Sequence, residues 1–368
     1  MIHVGLNLIF CVPGETGGME VAARETIPEL LNIDDLRLTA FVAREAAGTF
    51  DGVDEVVVPV GATNRVQWVR GEQQLLPGLA TRAGVDLVHS LGSTAPLRGR
   101  FTRVTTIHDV NYKLVPEAHF GLRGLGMRVL VPAAVRRSHR VLVDAASTKA
   151  DLIEHLHARA DRIDVVPLGV APPAVQPTAE ADLRTRLELG DRAVLLCVGA
   201  KRPHKNAAAV IRALAHLDPR PLLVIPGYRT PYEQELRALA DSLGVANDLR
   251  LPEPLSAADL EGLYALASAV VVPSLYEGFG LPVLEAMARG VPVASSSRAS
   301  LPEVAGTAAL MFDPTRDDEV TDAVARVLGD NELRARLRAA GRARAASFSW
   351  RRTAELTADV YRRALSAA

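Results

Sequence analysis

Cysteine is scarce in this chain: two in 368 residues, Cys11 and Cys197, far apart and each inside an apolar run. That excludes a disulfide framework and fits buried thiols of a cytosolic protein. An excess of either charge is missing too. Lys+Arg 42 against Asp+Glu 43 leaves a formal net charge of -1, so neither a nucleic-acid partner nor an acidic disordered tail is expected. No apolar stretch reaches the roughly 18 residues that a membrane span requires. The opening "MIHVGLNLIF" has no charged n-region and does not read as a signal peptide, so the expected setting is cytoplasmic. The signatures G-x-S-x-G, H-E-x-x-H and G-x-x-x-x-G-K-[ST] are absent, and no G-x-G-x-x-G follows the first strand. His155 and His157 stand two apart and do not share a helix face. Nothing here requires a metal or another cofactor.

What the chain does have is alternation. Short apolar runs such as 2–9, 36–42, 54–60, 86–90, 103–109 and 140–144 read as strands, and a second set follows at 193–199, 221–227, 248–252, 269–274 and 291–295. Amphipathic helical patterns lie between them, at 18–31, 65–82, 147–157, 206–217, 232–243, 256–267 and 281–289. Strands apolar throughout and separated by helices predict parallel sheets covered on both faces. With 48% hydrophobic residues, the length suits two domains. The Pro-rich stretch 165–182 is the best boundary. The expected class is therefore α/β, with two doubly wound Rossmann-like domains, 1–170 and 171–346, facing a shared cleft. The segment 347–368 carries a separate amphipathic helix.

The stretch "SLYEGFGLPVLEAMARGVPVA" (274–294) places Glu277 in a strand-end loop and Glu285 eight residues on, inside a helix. Pro282 suits the first turn and Gly290 the exit. On a helical wheel Leu281, Leu284 and Ala288 form the inward stripe, and Glu285 borders it. An ion pair with Arg289 would explain Glu285, and helix capping would explain Glu277. The alternative is a ligand. Gly278 and Gly280 let the backbone approach closely and leave amides free for it.

A cationic loop, "CVGAKRPHKNAAAVIRAL" (197–214), sets Lys201, Arg202, His204 and Lys205 before a helix that Asn206 is placed to cap. Cations at a helix N-terminus oppose the macrodipole, whereas a bound anion reverses that sign. A solvated basic loop is the plain alternative.

Segment 273–306, "PSLYEGFGLPVLEAMARGVPVASSSRASLPEVAG", resembles the E-x7-E signature of the retaining family-4 glycosyltransferases, which have the GT-B fold. The resemblance implies that Glu277 binds the transferred sugar and Glu285 the ribose of the donor nucleotide. Gly278, Phe279, Gly280 and Leu281 would add backbone contacts. Lys205 matches the family's diphosphate-binding lysine. Many relatives carry an arginine where this chain has Ala200, so Lys201 or Arg202 is left to supply the second charge. In the loop 11–30, Gly17 and Gly18 match amides that approach the phosphate, although such loops also serve as plain turns.

"VTTIHDVNYKLVPEAH" (104–119) ends a strand with His108, which in relatives contacts the transferred sugar. This stretch looks most like mannosyltransferase-type members, with GDP-mannose as the implied donor, and Glu72 and Gln73 resemble that subgroup as well. The resemblance further implies that the final helix crosses back onto the amino-terminal domain. Between Arg98 and Arg140, nine Lys/Arg accompany only Asp109 and Glu117. That stretch is suited to peripheral contact with anionic lipid at the inner membrane face, or it is a solvated basic helix face.

The implied activity is transfer of a hexose from a nucleotide-diphosphate sugar to a carbohydrate, lipid-linked or small-molecule acceptor, with retention and without metal. The alternatives are a non-catalytic nucleotide-sugar-binding protein and a GT-B-fold epimerase or phosphorylase. A glycosidase pair needs carboxylates about 5 Å apart, and a residue preceding a helix and one a turn inside it are spaced too widely for that.

Overall fold

Aliphatic residues on both faces of a strand are stable only where helices cover each side of the sheet. A computed structural model describes residues 1–115, 121–173 and 175–366. The chain divides into two compact units, Met1–Gly169 with Phe348–Ala368, and Val170–Ser347.

In the first unit the strands are β1 (Ile2–Leu8), β2 (Leu36–Val42), β3 (Asp54–Val57), β4 (Leu87–Ser90), β5 (Thr102–Ile107), β6 (Arg140–Val143) and β7 (Ile163–Val165). They form one sheet in the order β3-β2-β1-β4-β5-β6-β7, and every pairing is parallel. Strand β1 is central, with Val4 opposite Leu38 on one side and Leu87 on the other. Leu6, Leu8, Phe41 and Val88 are buried in its core. The order reverses between β1 and β4, so a crevice opens beyond their carboxyl ends.

The second unit repeats the scheme with β8 (Val194–Leu196), β9 (Leu222–Val224), β10 (Leu249–Arg250), β11 (Ala267–Val272), β12 (Val293–Ser296) and β13 (Leu310–Phe312). The order is β10-β9-β8-β11-β12-β13, again parallel throughout. Here the reversal falls between β8 and β11. Leu195, Val210, Leu223, Val271 and Val324 fill the core.

Some elements escaped the periodicity. Strand β13 has three residues, two of them only half-buried. Helix Asn331–Ala345 carries five arginines and buries Leu333, Leu337, Gly341 and Ala345. Half of that inward stripe is glycine and alanine, so its apolar signal is weak. The expected helix 65–82 is broken by a π turn at Gly71–Leu75 between Arg65–Arg70 and Leu76–Ala83. Of the basic stretch 98–140, residues 116–120 lie outside the described residues. Among the described residues no helix is long and apolar enough to cross a membrane.

The last helix, Trp350–Ser366, belongs to the first unit. Its inner face buries Trp350, Ala354, Ala358 and Tyr361 at a spacing of three or four residues, which is the helical repeat. Thr353 donates to the Pro167 carbonyl at 2.7 Å, and Arg362 forks onto Asp35 at 2.9 and 2.7 Å. At Gly169 a Cβ would stand 2.2 Å from the Trp350 nitrogen, so only glycine admits the helix start there. Gly169→Ala is therefore expected to cost about 1–3 kcal/mol, the range for overpacking. A urea titration followed by Trp350 fluorescence checks this, and an unchanged midpoint would contradict the contact.

Candidate functional site

The reversal point of the second unit places two loops side by side, 197–206 after β8 and 273–280 after β11. Lys205 Nζ donates to both oxygens of Glu277, at 2.6 and 2.8 Å, and Ser274 Oγ donates to the same carboxylate at 2.7 Å. The Lys205 side chain is 24% exposed and that of Glu277 11%. Burial alone would push the Glu277 carboxyl up. The Lys205 charge and hydrogen bond, with Ser274, outweigh it and hold the carboxyl below its ordinary value. The loops are tied at the backbone as well. Leu275 N–H donates to the His204 carbonyl at 2.8 Å, and Ser300 Oγ reaches the Glu277 and Phe279 carbonyls at 2.9 and 2.7 Å.

Two expectations are corrected here. Asn206 makes no side-chain cap. It takes a left-handed conformation, φ 53°, and its amide donates to the carbonyls of Pro273 (3.2 Å) and Pro314 (2.8 Å). Asparagine tolerates that conformation better than most residues. Nor does Glu277 cap the next helix, Leu281–Ala288, which starts from Gly280 with no side-chain cap. Gly280 itself has φ 107°, and Gly278 and Phe279 lead into it.

Within that helix the buried residues are Val283, Leu284, Ala286 and Met287, while Leu281 and Ala288 are half-exposed. The inward stripe is thus turned from the one expected, because the helix packs on both its neighbours in the unit. The Glu285 side chain is not paired with the Arg289 guanidinium. Arg289 forks onto Glu261, with Nε–Oε2 at 2.7 Å, and its Nη1 reaches only the Glu285 backbone carbonyl at 3.1 Å. Its guanidinium lies 4.9 Å from the Tyr264 ring centre. Tyr264 OH donates to Glu285 Oε2 at 2.8 Å. Burial raises the Glu285 carboxyl above its ordinary value, and Tyr264 and Arg289 offset this only in part. Tyr264 and Glu261 lie in the expected helix 256–267 with no local mark of these roles, and Arg289 takes Glu261 in place of the expected Glu285. A tyrosine at a buried helical position carries no sign that its hydroxyl serves a carboxylate.

Of the two cations left to replace the arginine missing at Ala200, Lys201 is fully buried. Its ammonium donates to the carbonyls of Gly227 (2.8 Å) and Pro252 (3.1 Å) and lies 3.5 Å from Glu233. Burial lowers its pKa, partly offset by Glu233. It braces the loops after β8, β9 and β10, and its charge is spent there. Arg202 is half-exposed on the same loop. The thiol of Cys197, buried just behind, is pushed up to about 12, and that of Cys11 to about 11, both chiefly by burial. Neither is a nucleophile.

In the first unit Gly17, φ 67°, precedes the helix Gly18–Leu31, and a Cβ at Gly17 would meet open space. Glu20 accepts from the Gly14 N–H at 2.9 Å and from Arg24 at 2.8 Å, which staples the loop. At the end of β5, His108 Nδ1 lies 2.7 Å from Asp144 Oδ2, and its Nε2 lies 2.9 Å from the Leu91 carbonyl. Both ring nitrogens are therefore engaged inside this unit. Glu72, on the π turn, accepts from Asn7 (2.9 Å), Thr94 (2.8 Å) and Gln73 (2.8 Å). It joins the end of β1 to the 91–97 loop, and burial raises its pKa. In the basic stretch, Arg103 is held by the Pro96 and Gly99 carbonyls, Arg140 by Asp164, and Lys113 by the His155 carbonyl. Those cations are committed within the unit.

Two doubly wound units, each a parallel sheet whose strand order reverses near its middle, define a GT-B architecture. Residues 180–344 match the family described as "Glycosyl transferases group 1", and residues 16–172 match "Glycosyltransferase Family 4". The chain is 31% identical over 265 residues to the O-antigen chain mannosyltransferase B of Escherichia coli, covering 70% of each protein. It is 32% identical over 281 residues to a GDP-mannose-dependent alpha-(1-6)-phosphatidylinositol monomannoside mannosyltransferase of Mycolicibacterium smegmatis, covering 73% of this chain and 68% of that protein. The fold superposes on the sucrose-phosphate synthase of Thermosynechococcus elongatus with a TM-score of 0.81 at 20% identity, over all of both chains. The chain belongs to this glycosyltransferase family.

The buried ion pair makes a stability prediction. A double-mutant cycle with Lys205→Met and Glu277→Gln should give a coupling of about 1–3 kcal/mol near neutral pH. Because the folded Glu277 carboxyl lies below its ordinary value, the coupling is complete above that ordinary value and fades as pH falls through the lower folded one. Unfolding titrations at stepped pH measure it, and a coupling that grows on acidification would refute the pairing.

Proposed function

We propose that this protein is a retaining, metal-independent hexosyltransferase that moves a hexose from a nucleotide-diphosphate sugar, with GDP-mannose the favoured donor, to an acceptor hydroxyl. The observation that carries the reading is the meeting of Lys205 and Glu277 at the reversal point of the second sheet, where ligands of such sheets bind. A cation and a carboxylate there match a donor that has a diphosphate at one end and hydroxyls at the other. Mannose is favoured by two mannosyltransferases among the relatives, one of them named as GDP-mannose-dependent.

In the reaction the bond from the anomeric carbon to the diphosphate oxygen breaks and a bond to the acceptor oxygen forms on the same face. The acceptor's proton passes to the departing diphosphate. Charge builds on that group, so the largest protein contribution is fixed positive charge and amides aimed at it. Lys205, Arg202 and the amides of Gly278, Phe279, Gly280 and Leu281 take this role, and the family resemblance adds Gly17 and Gly18. Glu277 accepts from hydroxyls of the sugar, and Glu285, steadied by Tyr264, accepts from the ribose. His108 serves the sugar side. No side-chain nucleophile is called for.

A panel of nucleotide sugars, scored by release of nucleoside diphosphate in the presence of mannosides and lipid-linked acceptors, tests the donor. GDP-mannose should turn over, and turnover should survive chelation by EDTA. Glu277→Ala is expected to abolish transfer while GDP still binds, because the partner of that carboxylate is the sugar; equal loss of GDP affinity argues against the assignment. Lys205→Ala should lower kcat by about 100-fold or more, the scale of losing one donor to a developing anion. An unchanged kcat at saturating donor removes Lys205 from the leaving-group role.

A further inference from the structure

Two histidines are buried close together at the strand ends of the first unit, and their partners differ in kind. His89 shares hydrogen bonds with two hydroxyls, Tyr361 OH on Nδ1 at 2.7 Å and Thr106 Oγ1 on Nε2 at 2.8 Å. A hydroxyl can donate or accept, so a neutral ring of either tautomer satisfies both contacts. His108 has no such freedom. Its Nε2 faces the Leu91 carbonyl oxygen at 2.9 Å, which only accepts, so Nε2 must carry a hydrogen. Its Nδ1 faces a carboxylate oxygen of Asp144 at 2.7 Å. With a hydrogen already on Nε2, a neutral ring would turn a lone pair toward that carboxylate. The contact is attractive only with a second proton between Nδ1 and Oδ2, and imidazole is the stronger base of the two.

We infer that Asp144 is a positioning residue for sugar transfer: it holds the His108 ring doubly protonated, so that Nε2–H clamps the Leu91 carbonyl and the ring cannot accept the acceptor's proton. This rests on the glycosyl-transfer reading and deepens it, since a ring already carrying both protons leaves that proton to the diphosphate. The dyad also links three strand ends, Leu91 after β4, His108 after β5 and Asp144 after β6. The surroundings agree. Burial disfavours the charged ring, but Asp144, with a smaller contribution from Asp109, more than compensates and raises the His108 pKa. Burial, and to a smaller degree the charge on His108, push His89 down to about 3. The titratable groups facing His108 are thus Asp144, Asp109 and His89. A small cavity of about 30 Å³ beside the dyad is lined from the flanking helices by Ala22, Thr26, Thr353 and Thr357, none of which titrates in the working range.

The test uses the full-length protein labelled with 15N at histidine. Long-range 1H–15N spectra should show both His108 nitrogens protonated at about pH 7, above the ordinary histidine value, with His89 neutral. Asp144→Asn keeps the shape and removes the charge. The amide can donate to a neutral Nδ1, so the second ring proton should be lost at that pH. Transfer from the donor identified in the panel should then fall about 10–100-fold in kcat, with little change in donor KM, as when the carboxylate behind a functional histidine is removed. Asp144→Glu should restore part of the rate, which a merely structural role would not require. A singly protonated His108 in the wild type overturns the proposal. So does Asp144→Asn with the wild-type kcat and pH profile. Should Asp144→Asn fail to fold, the wild-type spectrum and Asp144→Glu still decide. If no donor is turned over by the wild type, it is the glycosyl-transfer reading that fails, and the spectrum alone judges the dyad.

Discussion

A parallel sheet buried on both faces leaves no room for charge except at the ends of its strands, and everything chemical in this protein obeys that constraint. Within each sheet the ladder consumes the backbone polar groups, and aliphatic side chains fill both faces. At the carboxyl ends the chain turns into loops whose amides and side chains have no ladder to join. Where the strand order reverses, adjacent loops leave in opposite directions, and groups from different parts of the sequence come together. Lys205 and Glu277 are 72 residues apart and share two hydrogen bonds there.

Charge at such a place is costly unless it is answered, and the two units answer it in different ways. In the second unit the Lys205 ammonium and Glu277 carboxylate satisfy one another, with Ser274 completing the carboxylate. Nearby, Lys201 is sunk deeper and held by carbonyls, which makes it a brace. Two lysines four residues apart on one loop thus do different work, decided by which neighbour each ammonium meets. In the first unit the answer is a histidine between a carboxylate and a carbonyl, beside a second histidine that bonds two hydroxyls and is kept neutral chiefly by burial. Buried ion pairs are weak sources of stability but costly to break, which suits groups whose placement matters more than their contribution to folding.

Much of this arrangement was legible in the chain before folding. Long apolar strands such as 36–42 and 269–274 announce a buried parallel sheet through composition alone, and the spacing of Glu277 and Glu285 marks a strand-end loop followed by a helix. What could not be read was direction. Spacing placed Lys201, Arg202 and Lys205 on one loop but not which way each points. Arg289, four residues after Glu285, looked like its ion-pair partner, yet Glu261 from another helix takes it. Asp144 lies 36 residues beyond His108 and is one acid among many at a strand end. Tyr264 reads as core. Such roles arise from packing between elements distant in sequence, to which local periodicity is blind. Strand β13 and the alanine- and arginine-rich helix 331–345 were missed for the opposite reason, since their local signals are faint although their tertiary fit is definite.

The closing helix has a consequence for how the chain is made. Tyr361 reaches His89 across 272 residues of sequence, and Thr353 fastens to Pro167, so the first unit lacks part of its core until helix 350–366 has emerged. Domains made on a ribosome fold in order as they appear, but here the earlier half must wait, with apolar surface uncovered, while the whole later half is synthesised. Loss of helix 350–366 would therefore damage the unit that was translated first and leave the unit 170–347 comparatively intact.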